Sequence, residues 1–240
     1  MNALRLANMQ IKLMLRKRVQ FLFKLFLGIL LFIVFGQMGG RITEAFIGWL
    51  SYGMFMAAVM HPVSILNTWY KRGLLRLYHI ARLQPGTIMV SISLREGLEF
   101  ALSIVLSSIV SIWSLGVLVS DALLSTLIAI ILSFLALISF GNLLAAILIK
   151  TELSMTQMVI GITSFVQLFC ASGMVPEHVL PGWIAVSAKA MPLYYISRLL
   201  RETWAGTSIT ELFGYVLALI VITISCFMLA NVVFRMQTIE

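Results

Sequence analysis

Charged residues are scarce in this chain of 240 amino acids: they make up 11% of it, against 61% for hydrophobic residues. Soluble globular domains contain about 25% charged residues, so the composition excludes an ordinary soluble protein. In lipid, the backbone must satisfy its own hydrogen bonds, and an α-helix does so within a single segment. The composition therefore predicts an all-α membrane protein that crosses the bilayer several times.

Sequence motifs for several chemistries are missing. No phosphate loop of the form G-x-x-x-x-G-K-[ST] occurs, so we expect no ATP hydrolysis by this chain alone. No His-Glu-x-x-His or Cys-x-x-Cys motif predicts a metal site. Glu177 and His178 come nearest to a catalytic pair, but sequence neighbours point apart on a helix. Cys170 and Cys226 lie in apolar runs, where a thiol packs as a small hydrophobe. We expect no catalytic residue and no bound cofactor or metal here.

Acidic residues are few: nine stand against 17 basic residues, which gives a net charge of +8. In a membrane protein the basic residues concentrate on the cytoplasmic side. With the spans assigned below, only Arg41, Lys189, Arg198 and Arg201 lie on one side, and the other 13 of the 17 lie opposite. This asymmetry predicts that both termini are cytoplasmic and that residues 174–206 are outside. It explains the basic charge without a nucleic-acid partner.

Residues 1–20 are expected to form a cytoplasmic interfacial helix, not a removed signal peptide, because charges occur throughout and no small-residue cleavage site follows. Two faces emerge if residues 3–18 are helical. The polar face holds Arg5, Asn8, Lys12 and Arg16, and the apolar face holds Leu6, Met9, Leu13 and Met14. Each basic residue near anionic lipid adds about 1 kcal/mol. A charged flank of the first span is the alternative.

Six apolar runs approach or exceed the roughly 20 residues that cross a bilayer. They are residues 21–38, 45–67, 95–119, 122–149, 155–173 and 211–233. The first two occupy residues 21–67 and the next three residues 87–173, within a single domain of residues 1–240. His61-Pro62 predicts a kink in the second span. The fourth run is longer than one crossing, so we expect it to tilt, to break near Gly141-Asn142 or to project into the cytoplasm. A short inner tail follows Arg235.

The cytoplasmic loop of residues 68–86 has helical periodicity in both its charged and its apolar residues. One helix over residues 71–83, ended by Pro85-Gly86, would place the basic residues on one face. We interpret it as a docking helix; a loop that only sets topology is the alternative. The docking candidates are Lys71, Arg72, Leu74, Arg76, Leu77 and Arg82.

A polar seam follows one face of the third span. Its members are Glu99, Ser103, Ser107 and Ser111. An intramembrane carboxylate requires a partner or water, and Arg95, four residues earlier, is the predicted partner of Glu99. Serines between helices serve close packing more often than a transport pathway, so packing is the favoured interpretation.

Residues 174–206 interrupt the apolar pattern and contain three of the five prolines, Pro176, Pro181 and Pro192. They predict two short helices, one after Pro181 and one from Pro192 to about Trp204. On the second helix, Ser197, Arg198, Arg201 and Glu202 would lie opposite Ile196, Leu199, Leu200, Thr203 and Trp204. Such a helix would lie at the membrane surface and not span it.

The ordered motifs of residues 140–204 resemble the permease subunits of ABC-2 type ATP-binding-cassette exporters. The matching positions are Phe140-Gly141-Asn142-Leu143-Leu144-Ala145-Ala146, Gly173, Pro176, Leu180-Pro181-Gly182-Trp183, Pro192-Leu193-Tyr194-Tyr195, Arg198 and Arg201. The resemblance implies a type V exporter-like fold: six transmembrane helices, an N-terminal interfacial helix and a re-entrant extracellular hairpin between helices 5 and 6. The hairpin would cap the pathway through Pro176, Pro181, Trp183, Pro192, Tyr194 and Arg198.

The same resemblance implies the partners. Two permease chains, identical or different, would form the pathway in a prokaryotic plasma membrane. Each would dock a separate ATPase subunit, which binds ATP and Mg, through residues 68–84. The cargo would be a drug, an antibiotic, a peptide or a lipid-like amphipath.

Two other classes of function remain open at this point. An ion-coupled secondary transporter requires buried ionisable groups near the midplane, for which Glu99 and His61 are the candidates. A lipid-modifying membrane enzyme would require clustered carboxylates or a Ser/His/Asp set, and neither is visible.

Overall fold

The computed structural model describes residues 3–16, 42–80, 83, 85–115, 122–167 and 181–239, and every regular element in these ranges is helical. Helix α1 is Ala3–Arg16. Helix α2 comprises Ile42–Phe55, a π-helical segment Met56–Met60, and His61–Lys71. The remaining helices are α3 (Leu74–Ile80), α4 (Pro85–Leu115), α5 (Leu123–Leu148), α6 (Leu153–Phe165), α7 (Gly182–Ala188), α8 (Pro192–Trp204) and α9 (Phe213–Ile239).

Three helices of the described part of the chain are long and apolar enough to cross a membrane: α2, α5 and α9. The protein is therefore an integral membrane protein. The most apolar stretch of α2 is 61% buried, against 33% for α5 and 11% for α9. Helix α2 thus lies at the centre, while α9 packs along α5 and turns most of its surface outwards. The predicted first span, residues 21–38, lies outside the described residues.

Two buried apolar clusters hold the helices together. The first surrounds the start of α2 and joins it to α5, α8 and α9 through residues such as Phe46, Leu50 and Leu199. The second surrounds Leu66, near the end of α2, and joins it to α1, the start of α4 and the end of α5. Burying each large apolar side chain stabilises the fold by about 1.5–3 kcal/mol where the alternative is water.

Helix α1 packs on α4. Leu6 is fully buried, and the buried Gln10 donates from Nε2 to Ser91 Oγ at 3.1 Å. Of the other residues predicted on its apolar face, Met9 is 48% exposed, and the side chains of Leu13 and Met14 are not described. The predicted polar face, Arg5, Asn8, Lys12 and Arg16, is exposed.

The predicted kink at His61-Pro62 takes the form of a π-turn. The backbone N–H of His61 donates to the carbonyl of Met56, five residues earlier. Pro62 has no N–H to donate to the carbonyl of Ala58, and a π-turn accommodates such a gap. This widened turn contacts α5 at Gly141, where a Cβ atom would lie against the carbonyl oxygen of Ala58 and 2.9 Å from Val59 Cα.

Helix α5 passes Gly141 without interruption, so of the three alternatives given for the fourth run the break at Gly141-Asn142 is wrong. The glycine allows two backbones to approach each other.

Three other helix limits differ from those predicted. Helix α4 begins at Pro85, about ten residues before the predicted start, because proline suits the first turn of a helix instead of ending the one before it. The single helix predicted over residues 71–83 is wrong: α2 ends at Lys71, Gly73 adopts a φ of 70°, and α3 begins at Leu74. Helix α9 continues to Ile239, where a short tail was predicted.

Candidate functional site

The loop between α2 and α4, residues 72–84, is fastened to the second apolar cluster. Leu75 and Tyr78 of α3 pack against that cluster, and the Tyr78 ring lies 5.6 Å from the ring of Trp69. Burial raises the pKa of Tyr78. Leu83 is 6% exposed, and its N–H donates to the carbonyl of Tyr78. A force on this loop therefore acts directly on the ends of α2 and α4.

The same loop presents two kinds of exposed side chain. Lys71 and Arg72 are exposed where α2 ends. Ile80, at the end of α3, is 77% exposed. An exposed large apolar side chain can bind a protein surface, because burying it removes apolar area from water, and exposed basic residues on the same loop can steer the approach.

The predicted docking residues do not share one helical face. Lys71 ends α2, Arg72 lies in the turn and the half-buried Leu74 begins α3. Arg76 and Leu77 lie on α3, whose side chains at these two positions are not described, and Arg82 lies outside the described residues. Gly73 interrupts the periodicity; a glycine directly after Lys-Arg is a helix C-terminal pattern that sequence reasoning could have used.

Asn67 links the same end of α2 to the end of α5. Its side chain is 1% exposed, and Nδ2 donates to the carbonyls of Leu148, Ile149 and Thr151 at 2.9, 3.3 and 3.1 Å. These carbonyls belong to the last turn of α5 and the residues after it, which lack partners within the helix. Asn67 thus caps α5 across the interface between the two helices.

A buried ionic cluster lies between α2 and α4, at the π-turn. Glu96, with a side chain 1% exposed, forms an ion pair through Oε1 with Arg95 Nη2 at 3.1 Å, and its Oε2 lies 3.0 Å from His61 Nδ1. Arg95 was predicted to pair with Glu99, and Glu96 was not among the predicted site residues. Glu96 precedes Glu99 by three residues, a helical spacing that places it on the face of the predicted seam.

The rest of the seam runs along α4. Glu99 and Ser107 are buried and Ser103 is half-buried. Ser111 lies on α4, but its side chain is not described. Near the seam, the rings of Phe100 and Phe134 stack at 5.4 Å. Two of the three described seam residues are thus enclosed within the protein.

Helix α8 inserts between α2, α5 and α9. The N–H of Leu193 donates to Oε1 of the buried Gln167 at 3.3 Å, which ties the first turn of α8 to the end of the fifth apolar run. At the other end, Thr126 Oγ1 donates to the carbonyl of Thr203. Ser197 is fully buried and donates to the carbonyl of Tyr194, so its predicted place beside Arg198 on the polar face is wrong.

The predicted cap residues that the structure describes lie at the start of α7 and in the first half of α8. Pro181 precedes α7, and Trp183 on α7 is 74% exposed. Pro192 begins α8, and the Arg198 guanidinium lies 5.9 Å from the ring centroid of the buried Tyr194, a cation–π contact. Pro176 lies outside the described residues.

Comparison with models of protein families identifies the family of this chain. The model of a family described as ABC-2 type transporter matches residues 3–205, which run from α1 to the end of α8 and include the loop, the ionic cluster and the α7–α8 pair. No curated protein matches the chain.

Proposed function

Because the chain belongs to the ABC-2 type transporter family, and so is a permease component of an ATP-binding-cassette transporter, we propose that it forms the pathway of an ATP-driven exporter. Two permease chains, identical or different, enclose the pathway. Separate ATPase subunits bind ATP and Mg and drive it. The cargo is a drug, an antibiotic, a peptide or a lipid-like amphipath.

The main structural support for this proposal is the attachment of the loop of residues 72–84 to the ends of neighbouring helices. Leu75, Tyr78 and Leu83 fasten the loop to the helix ends, while Arg72 and Ile80 face outwards. This is the arrangement that a coupling element requires: one side binds the ATPase, and the other transmits its movement. Asn67 extends the connection from α2 to α5, so a displaced loop pulls on three helices together.

At the opposite end of the molecule, the position of α7 and α8 is evidence for a cap on the pathway. Helices α7 and α8 follow the fifth apolar run, and Gln167 and Thr126 hold α8 between the ends of neighbouring helices. We propose that residues 174–206 form the re-entrant extracellular hairpin, and that residues 21–38 supply the first of six spans. The enclosed Glu99 and Ser107 support packing between helices as the role of the seam.

The placement of charge supports the orientation. Helix α1, whose basic residues are exposed, packs against the start of α4, at the same end as the loop of residues 72–84. We propose that this end is cytoplasmic, that both termini lie there, and that α1 rests on the inner leaflet of a prokaryotic plasma membrane, where its basic residues contact anionic lipid.

One observation favours a second candidate, an ion-coupled transporter. The buried cluster of His61, Arg95 and Glu96 has the kind of ionisable groups that such a carrier uses. Proton-driven uptake or export by the chain reconstituted alone would support this candidate over the exporter.

Ile80 provides the test of the loop. We expect Ile80→Asp to abolish co-purification of an ATP-binding-cassette ATPase, because a carboxylate cannot replace buried apolar surface, whereas Ile80→Leu retains it. Membrane insertion should be equal for the two variants, since the side chain is 77% exposed. Undiminished co-purification with Ile80→Asp, and also with Arg72→Glu, would refute the docking role of the loop.

A further inference from the structure

Helix α1 has a line of basic side chains along one side. Arg5, Lys12 and Arg16 are exposed, and their spacings of seven and four residues place them within about 40° of one another around the helix axis, over a length of ~16 Å. The buried Ala7 and Gln10 lie on the opposite side, where α1 packs on α4. We call these three exposed residues the basic line.

The sequence around the basic line contains no acidic residue. The first carboxylate side chain of the protein is that of Glu44 and the second is that of Glu96, so α1 and the loop of residues 72–84 have none. Residues 1–95 nevertheless contain 12 of the 17 basic residues. An anionic surface is therefore the complement of the outer side of α1.

The attachment of α1 to α4 places the basic line near the lipid headgroups. Val90, Leu94 and Leu98 of α4 are exposed at a spacing of four residues, which makes an apolar stripe suited to hydrocarbon. Gln10 donates to Ser91, next to the first residue of this stripe. Helix α1 thus lies where α4 passes from hydrocarbon to headgroups, the depth of the phospholipid phosphates.

The buried side of α1 is joined to the loop of residues 72–84. Leu6 is fully buried and belongs to the second apolar cluster, which also contains Leu83. Leu75 and Tyr78 of the loop pack against the same cluster. Detachment of α1 would remove Leu6 from the cluster that holds the loop, so the position of α1 affects the stability of the loop.

We propose that the basic line of α1 is a binding site for anionic phospholipid, and that lipid bound there holds the loop of residues 72–84 in place through the second apolar cluster. The three side chains align only while α1 is helical. Lipid therefore favours the helical, attached state of α1 over a detached segment. Each basic residue near anionic lipid strengthens binding roughly fivefold, so the three together contribute roughly 100-fold.

This site deepens the proposed function, because it rests on the membrane-surface position of α1 given there. It depends neither on ATPase docking nor on transport, and its test requires neither. A nanodisc presents the same lipid on both faces, so the test is also independent of the orientation of the chain.

The test is hydrogen–deuterium exchange of the full chain in phosphatidylcholine nanodiscs with and without phosphatidylglycerol. The anionic lipid should slow amide exchange in residues 3–16 and 72–84 by about fivefold or more, and leave residues 192–204 of α8 unchanged. Unchanged exchange in the loop, or equal slowing in α8, would overturn the proposal.

Variants of α1 assign the effect to the basic line. Substitution of Arg5, Lys12 and Arg16 together by glutamine should abolish the slowing in the loop, whereas Arg5→Lys with Arg16→Lys, which keeps the charges, should retain it. The three side chains are exposed, so both variants should fold. If the loop of the glutamine variant is still slowed, the lipid acts on the basic residues of the loop itself and the proposal is wrong.

Discussion

The close crossing of α2 and α5 predicts a large effect of a single methyl group at Gly141. A Cβ atom there would lie 2.9 Å from Val59 Cα and 3.1 Å from the carbonyl carbon of Ala58. Carbon atoms pack at about 3.5–4.0 Å, so α2 and α5 must separate by roughly 0.6–1 Å. Neither obstacle is a flexible side chain that could rotate away, because both belong to the backbone.

We expect Gly141→Ala to destabilise the protein by about 3 kcal/mol, the upper end of the usual cost of overpacking. For a chain of this size, that corresponds to a fall in Tm of about 6–12 °C. The assay is thermal unfolding of the full chain in nanodiscs. Gly161→Ala is the matched control, since Gly161 also lies within a helix, α6, and no atom lies within 4 Å of its added Cβ.

The control should unfold at or slightly above the wild-type temperature, because alanine is the better helix former. A difference of less than 2 °C between the Tm values of Gly141→Ala and Gly161→Ala corresponds to a free-energy difference on the order of 1 kcal/mol or less. Such a result would show that the close crossing at the π-turn is wrong.

Two further predictions concern the ends of the helices. Asn67→Leu should lower the stability by about 1–3 kcal/mol, because three carbonyls lose a donor. Asn231→Leu should cost less, because the amide of Asn231 donates to a carbonyl within its own helix, α9. Equal losses in Tm would contradict the cap. In a chain without the two native cysteines, single cysteines at Thr68 and Glu177 should react with impermeant thiol reagents from opposite sides of the membrane. Labelling of both from one side would contradict the six-span topology.

Local patterns predicted much of the fold. The limits of α5 agree with those observed to within one residue, and prolines 181 and 192 locate α7 and α8 because proline suits the residue before a helix and its first turn. The amphipathic pattern identified the exposed polar face of α1 and the buried Leu6, but not the exposed Met9 or the buried Gln10. These features depend on neighbours along the chain, which the sequence displays directly.

Contacts between distant residues could not be predicted in this way. His61 and Glu96 are 35 positions apart, and Asn67 is 81 positions from its first acceptor. The sequence offered Arg95 and Glu99 as a pair at helical spacing, but the packing of α2 on α4 brings Glu96 to His61. Gly141 was recognised within a family motif, whereas its role depends on the crossing of α2.

The central claim, that the loop of residues 72–84 couples this permease to an ATPase, is tested most directly by crosslinking from position 80 in intact cells. A photoreactive amino acid replaces Ile80, and mass spectrometry identifies the captured protein; the same residue in place of the exposed Trp183, on the proposed outer side, is the control. We predict capture of an ATP-binding-cassette ATPase from position 80 and none from position 183. Capture of such an ATPase from position 183 alone, or from neither position, would contradict the claim.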